Sequence, residues 1–321
     1  MKRKETGEYF EIRKLQMETK KGKAKINVER ISLVVRNAPE YLEDLRVFRD
    51  IPVPDCHKKI GIDKGQESLK MTGGVLNKKS NIASTQNSLF SKDLKYTGVK
   101  KIQILGIAEN VSESHSNVEK LVKACNLSEL DHKTMTYTGD QKMGYCMSGH
   151  QGQNSTKPCM YCLVIAPLTS KDEAELRTLG LNRQNCRDFH ASTSKQKLGK
   201  NHNNIVHEPL FIGPDDKLIL DCFPVPALHI KLRSVNHICD HLTIQSKKKF
   251  KDADGNSIDM VLEFCKDNHI VKKNYFGGQY EGNQCNAILK QVDKLEAKLP
   301  RSLKKFTKCL GKLSIKTRSK Y

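Results

Sequence analysis

Residues 136–162, TYTGDQKMGYCMSGHQGQNSTKPCMYC, carry two chemical signals from which the rest of the chain can be read. Thr136, Tyr137 and Thr138 favour extended backbone, and Gly139 lets the chain turn before Asp140. The segment therefore predicts a short strand that presents a carboxylate at its end. An acid so placed suits a cation, and it equally suits a turn or a helix cap. Further on, Cys159 and Cys162 have the Cys-x-x-Cys spacing at which a tight turn brings two thiolates to one tetrahedral Zn2+. Redox pairs share this spacing. Pro158 fits a turn better than the helix N-terminus of a redox pair, and no thioredoxin-like run of strands surrounds it, so zinc is the preferred reading.

A second acid lies upstream. In residues 58–75, KKIGIDKGQESLKMTGGV, Ile60 and Ile62 make an apolar strand that stops at Asp63, and Leu69 to Thr72 read as the returning strand of a hairpin, with Gly65 in the turn. Residues 101–108, KIQILGIA, predict a buried strand. A helix follows, with Ser112 or Ser114 as its cap and Val118, Leu121, Val122 and Cys125 at helical spacing. The order is strand, strand, strand, helix, strand, with one acid on the first strand and one after the fourth. If the first strand is central in a mixed sheet and the fourth pairs beside it, Asp63 and Asp140 meet. Two carboxylates that close call for a bridging divalent ion, Mg2+ or Mn2+, as in two-metal phosphoryl transfer.

Composition narrows the partner. The 321 residues suffice for one large or two ordinary domains, yet only 37% are hydrophobic and none is Trp, so part of the chain is expected outside any core. Against 36 Asp+Glu stand 56 Lys+Arg, a net charge of +20, which favours a polyanionic partner, nucleic acid first. Basic ribosomal-type and membrane-surface proteins share such a charge. The opening MKRKETGEYF has no apolar signal-peptide core, no stretch approaches the length needed to span a bilayer, and the 11 cysteines are odd in number. These features predict an intracellular protein without a membrane partner. The runs KKGKAK (20–25) and KKKFK (247–251) suit nuclear import, so the nucleus is the expected compartment.

The order of elements, with Asp63 and Asp140 in place and a Cys-x-x-Cys after the second acid, resembles the ribonuclease H-like core of DDE transposases. The resemblance is sharpest to the core shared by Transib transposases and the V(D)J recombinase catalytic subunit. Residues 224–242 (PVPALHIKLRSVNHICDHL) and 275–297 (YFGGQYEGNQCNAILKQVDKLEA) match further segments of that family. The resemblance implies an α/β fold, a ribonuclease H-like mixed sheet with a zinc-binding, mainly helical insertion. It divides the chain into a basic leader (1–55), a core (56–145) with a flexible insertion near 76–98, the insertion (146–300) and a basic tail (301–321). It also implies that Asp63 and Asp140 are catalytic and hold Mg2+ or Mn2+, and that Cys159 and Cys162 hold Zn2+.

The family completes its zinc with a His-x4-His pair and its catalytic triad with a helical Glu, both beyond the segment matched by 275–297. This chain has no histidine after His269, so the resemblance implies a copy truncated at its C-terminus. Local substitutes exist. His202 and His207 have the His-x4-His spacing, and His237 and His241 share a helix face; neither pair is preferred, because loop histidines are ordinarily exposed and helical ones ordinarily pack. Glu281 is the remaining candidate for the third acid, in a setting (GGQYEGNQ) where capping competes. Residues 252–263 read as a turn, since Ser257 stands where a calcium loop needs Gly. The expectation is a transposase-derived DNA-binding protein with a partial DDE site and impaired catalysis, pairing with itself or with an intact transposase of the family. The alternative is a non-catalytic, zinc-stabilised nucleic-acid-binding or transposase-regulating module.

Overall fold

The hairpin read around Gly65 lies within the sheet. In the computed structural model β3 (Cys56–Gly65) pairs antiparallel with β4 (Ser68–Asn77), from Cys56↔Asn77 to Gly65↔Ser68. Alternation decides the faces: Ile60, Ile62, Leu69 and Met71 are buried, whereas Lys59 and Asp63 between them are exposed. β5 (Gln103–Glu109) pairs antiparallel with β4, with a bulge at Met71/Thr72. A helix then returns the chain, and β6 (Met135–Thr138) lies parallel to β3, from Lys58↔Met135 to Gly61↔Thr138. The structure describes residues 6–21, 24–65, 67–77, 102–165, 174–193, 198–272 and 278–318.

Two more strands extend the sheet from the N-terminal side. After a single turn, α1 (Thr6–Tyr9), β1 (Phe10–Lys21) and β2 (Ala24–Val35) pair antiparallel from Phe10↔Val35 to Lys21↔Ala24, and β2 pairs with β5. The order is β1-β2-β5-β4-β3-β6, a six-stranded mixed sheet in an α/β unit. The sequence reading sets residues 1–55 apart as a leader; residues 10–35 are instead strands of the same sheet, with Met17, Val34 and Val35 in the core. The buried Asn117 side chain fastens β1 to the unit: its Oδ1 accepts from Glu18 N (2.7 Å) and its Nδ2 donates to Glu18 O (2.7 Å) and Ser112 O (2.8 Å).

The helices form where caps and periodicity coincide. α2 (Ala38–Phe48) is capped by Asn37, whose side chain accepts from Glu40 N, and it buries Leu42. α3 (His115–Ala124) is capped by Ser114 and buries Val118, Leu121 and Val122, as the sequence predicts. A Cβ at Gly73 would stand 3.0 Å from Leu42 Cδ2, and one at Gly106 2.9 Å from Leu121 Cδ1, so these glycines let the two helices close onto the sheet. α4 (Gln141–Ser148) follows β6, and α5 (Leu179–Ala191) and one turn, α6 (Ile219–Cys222), complete the unit.

Compact units span Met1–Val225 and Pro226–Tyr321, so the chain divides later than the sequence reading, which ended the sheet core at residue 145. The second unit is helical: α7 (Ala227–Lys249), α8 (Met260–Asp267), α9 (Gly282–Lys290), α10 (Val292–Lys298) and α11 (Lys304–Arg318). The stretch read as a basic tail contributes to its core. Leu303, Thr307 and Leu310 recur at helical spacing and are buried, while Lys305 and Lys308 are exposed. The insertion expected near 76–98 lies outside the described residues from 78 onward; 76 and 77 end β4. Among the described residues, no helix is long and apolar enough to cross a membrane.

Candidate functional site

Parallel pairing of β3 and β6 brings the two predicted acids to one end of the sheet. The last paired residues are Gly61 and Thr138; Asp63 lies two positions further along β3, and Asp140 lies two positions past the end of β6, so both acids stand at the same end of adjacent strands. Small and hydroxylated residues line this junction. Thr138 Oγ1 donates to Ile60 O (3.4 Å), and Thr72 Oγ1 to Gly61 O (3.2 Å).

The two acids differ in what they already do. Asp63 is exposed and stands opposite Lys70 on β4. Asp140 is half-buried and caps α4, its Oδ1 accepting from Met143 N at 2.7 Å. The chain needs extended backbone here to leave β6, and the carboxylate satisfies an N–H that the helix leaves open.

Clefts border this end of the sheet. One, of about 530 Å³, lies among Arg30, Lys64, Glu67, Glu113 and Lys142, the two lysines flanking the acids in sequence. A second, of about 530 Å³, lies among Lys25, His115, Lys142, Tyr145, His150 and His207. Lys142 pairs with Glu113 between them. The His115 and His207 rings stack at 4.5 Å, and burial pushes both pKa values down. His150 accepts from Gly152 N on Nδ1 and donates from Nε2 to Lys157 O, so it is the neutral tautomer; burial, then the Arg177 charge, push its pKa down to about 4.

Cys159 and Cys162 form a compact knuckle. Tyr161 N donates to Cys159 Sγ (3.4 Å), and the Cys162 N–H also faces that sulfur. The turn is closed by Tyr145 OH donating to Pro158 O (2.6 Å), Leu163 N to Glu175 O (2.9 Å) and Arg177 N to Tyr161 O (2.8 Å). Burial holds the Cys159 thiol above its usual range. The donor set fits two positions of a tetrahedral zinc, with backbone N–H groups placed as they are in metal–thiolate turns.

Among the described residues, no group of three or more His, Cys, Asp or Glu is gathered for a metal ion. His202 meets Ser192 Oγ at 3.1 Å and lies edge-on to Phe189, His207 stacks on His115, and His241 packs against Phe306. His237 and His241 lie on α7, in the helical unit. Glu281 is also in that unit, at the N-cap position of α9, but its side chain makes no capping hydrogen bond. Asp252 organises the turn read from the sequence, its Oδ1 accepting from Asp254 N and Asn256 N.

Sequence reasoning did not find Arg177, His150 or the His115–His207 stack. Each is set by contacts between residues distant in the chain, and none has a local spacing signature. No family model matches this chain, and no curated protein matches it significantly.

Proposed function

We propose that this chain is a transposase-derived, ribonuclease H-like DNA-binding protein with a partial acidic site formed by Asp63 and Asp140. The observation that carries the reading is the parallel register Gly61↔Thr138, which leaves both acids at the same end of adjacent strands. The order β5-β4-β3-β6, three antiparallel strands and a fourth running parallel beside the first, supports it. Asp63 and Asp140 are the residues that would hold Mg2+ or Mn2+; such an ion, when bound, supplies charge neutralisation at a phosphate. Lys64 and Lys142, beside the acids and lining a cleft, are suited to a nucleic-acid backbone, as is the net charge of +20. With two acids and no third joined to them among the described residues, strand transfer is weak or absent. The protein acts on DNA in the nucleus, as a pair with itself or with an intact transposase of the family.

A non-catalytic, zinc-stabilised binding module is the second reading. What favours it is the cap: Asp140 already serves α4. Fluorescence anisotropy with a labelled duplex, with and without Mn2+, separates the two. The first reading expects affinity that falls with salt, with a log–log slope of about 0.9 per phosphate contact. It also expects a Mn2+-dependent gain that is lost in Asp63→Asn and in Asp140→Asn. DNA binding indifferent to Mn2+ and to both substitutions selects the module. Absence of DNA binding rejects both, and efficient strand transfer rejects the impairment.

A further inference from the structure

Arg177 is fully buried, yet its charge meets no carboxylate among the salt bridges of the described residues. Its Nε donates to the carbonyl oxygens of both knuckle cysteines, to Cys159 O at 3.0 Å and to Cys162 O at 3.1 Å. Its backbone is clamped on both sides, since Arg177 N donates to Tyr161 O and Ile219 N donates to Arg177 O. Nη1 and Nη2 are buried without a hydrogen-bond partner among the described residues. A guanidinium placed this way is costly unless negative charge lies beside it. Among the described residues, the neighbours that can supply it are Cys159, Cys162 and Tyr145, and the Tyr145 hydroxyl is engaged with Pro158 O.

We propose that Arg177 is the positioning residue of a metal-binding knuckle. Through Nε it fixes the two cysteine carbonyls relative to each other, and with them the spacing of the two sulfurs that grip a thiophilic divalent cation. The proposal rests on the zinc reading of Cys159 and Cys162. Binding forms two metal–sulfur bonds and releases the two thiol protons to solvent, with no change of oxidation state. The planar fork matters as much as the charge: a lysine keeps the charge, but its tetrahedral ammonium lacks the rigid plane that holds one N–H between two carbonyls with the four Nη N–H bonds spread beyond it. A buried arginine with two idle NH2 groups is otherwise a poor choice for closing a turn, because Met would fill the volume without the desolvation cost.

The test is a titration of the reduced full chain with Co2+, followed by its thiolate-to-metal charge-transfer absorption, with Zn2+ competition for affinity. Wild type is expected to develop the band, and Cys159→Ser and Cys162→Ser to abolish it. Arg177→Met and Arg177→Lys are expected to weaken Co2+ about 10- to 100-fold, as is usual for groups that orient ligands. Arg177→Lys is also expected to shift the visible cobalt bands. Urea midpoints of the metal-free variants separate a folding defect from a binding one, and Arg177→Lys decides if Arg177→Met does not fold. Wild-type cobalt affinity and bands in a folded Arg177 variant overturn the role of Arg177 and leave the metal reading standing. No charge-transfer band in wild type overturns the metal reading and the proposal together.

Discussion

Gly139 lies directly against the carbonyl oxygen of Ile62: a Cβ at Gly139 would stand 2.6 Å from it, closer than any real contact allows. The obstacle is backbone, so no side chain can swing away. This contact lets the chain leave β6 beside β3 and keeps Asp140 at the same end as Asp63. Gly139→Ala is therefore expected to push β6 away from β3 and to cost roughly 1–3 kcal/mol in urea unfolding, the range for overpacking. It should also abolish any Mn2+-dependent gain in DNA affinity. A variant with wild-type stability would show that the two strands do not meet as described.

Asp140 caps α4, and on the proposed reading it also binds Mn2+. As the cap of α4 it accepts from Met143 N, and a side-chain amide oxygen can do the same. Asp140→Asn should leave the urea midpoint nearly unchanged, whereas Asp140→Ala should cost about 1 kcal/mol. Mn2+ binding, measured calorimetrically, should fall in both. Equal stability of the two variants would remove the cap from the account.

Asn117 is the test of the N-terminal hairpin. Its amide makes three hydrogen bonds, two of them to Glu18 on β1, inside the core. Asn117→Ala strands those backbone groups, and the expected loss is roughly 2–3 kcal/mol by urea denaturation. If residues 10–35 were a dispensable leader, the variant would be silent.

What the sequence made legible follows from where each signal is local. The β3–β4 hairpin, β5, α3 and β6 could be read because apolar alternation, a turn glycine and a serine cap all lie within a few residues of the element they specify. The β1–β2 hairpin could not. Its open face carries Ile12 and Ile31, 73% and 69% exposed, among Lys and Glu, so alternation is blurred, and the pairing that makes it part of the sheet is to β5, over seventy positions away for Leu33↔Ile107. The C-terminal helix was hidden for the opposite reason: its lysines outnumber the residues at 303, 307 and 310 that face the core. The placement of Asp63 on β3 and of Asp140 just past β6 was legible because strand-end acids are visible in sequence. Arg177 was not, since a buried arginine looks like any surface one until its carbonyl partners are known.

His150 supplies a pH dependence that can be checked without a ligand. Both its ring nitrogens are used, one as donor to Lys157 O and one as acceptor from Gly152 N, so protonation breaks the second bond and buries a charge beside Arg177. Its pKa is about 4 in the folded chain, below the ordinary histidine value of 6.5. Because the folded value is the lower one, the stabilisation is fully present above pH 6.5. It is lost as pH falls through about 4, where the unfolded chain binds a proton that the folded chain resists. The whole effect is on the order of 3 kcal/mol by linkage. Urea midpoints measured between pH 7 and pH 4 should therefore fall more steeply in wild type than in His150→Gln, whatever the absolute stability of the variant. Proton NMR of the His150 ring should give a midpoint well below that of an exposed histidine. Parallel slopes, or an ordinary midpoint, would show that the loop from Gly152 to Lys157 opens in solution, and with it the clasp that holds Pro158 and the cysteine turn in place.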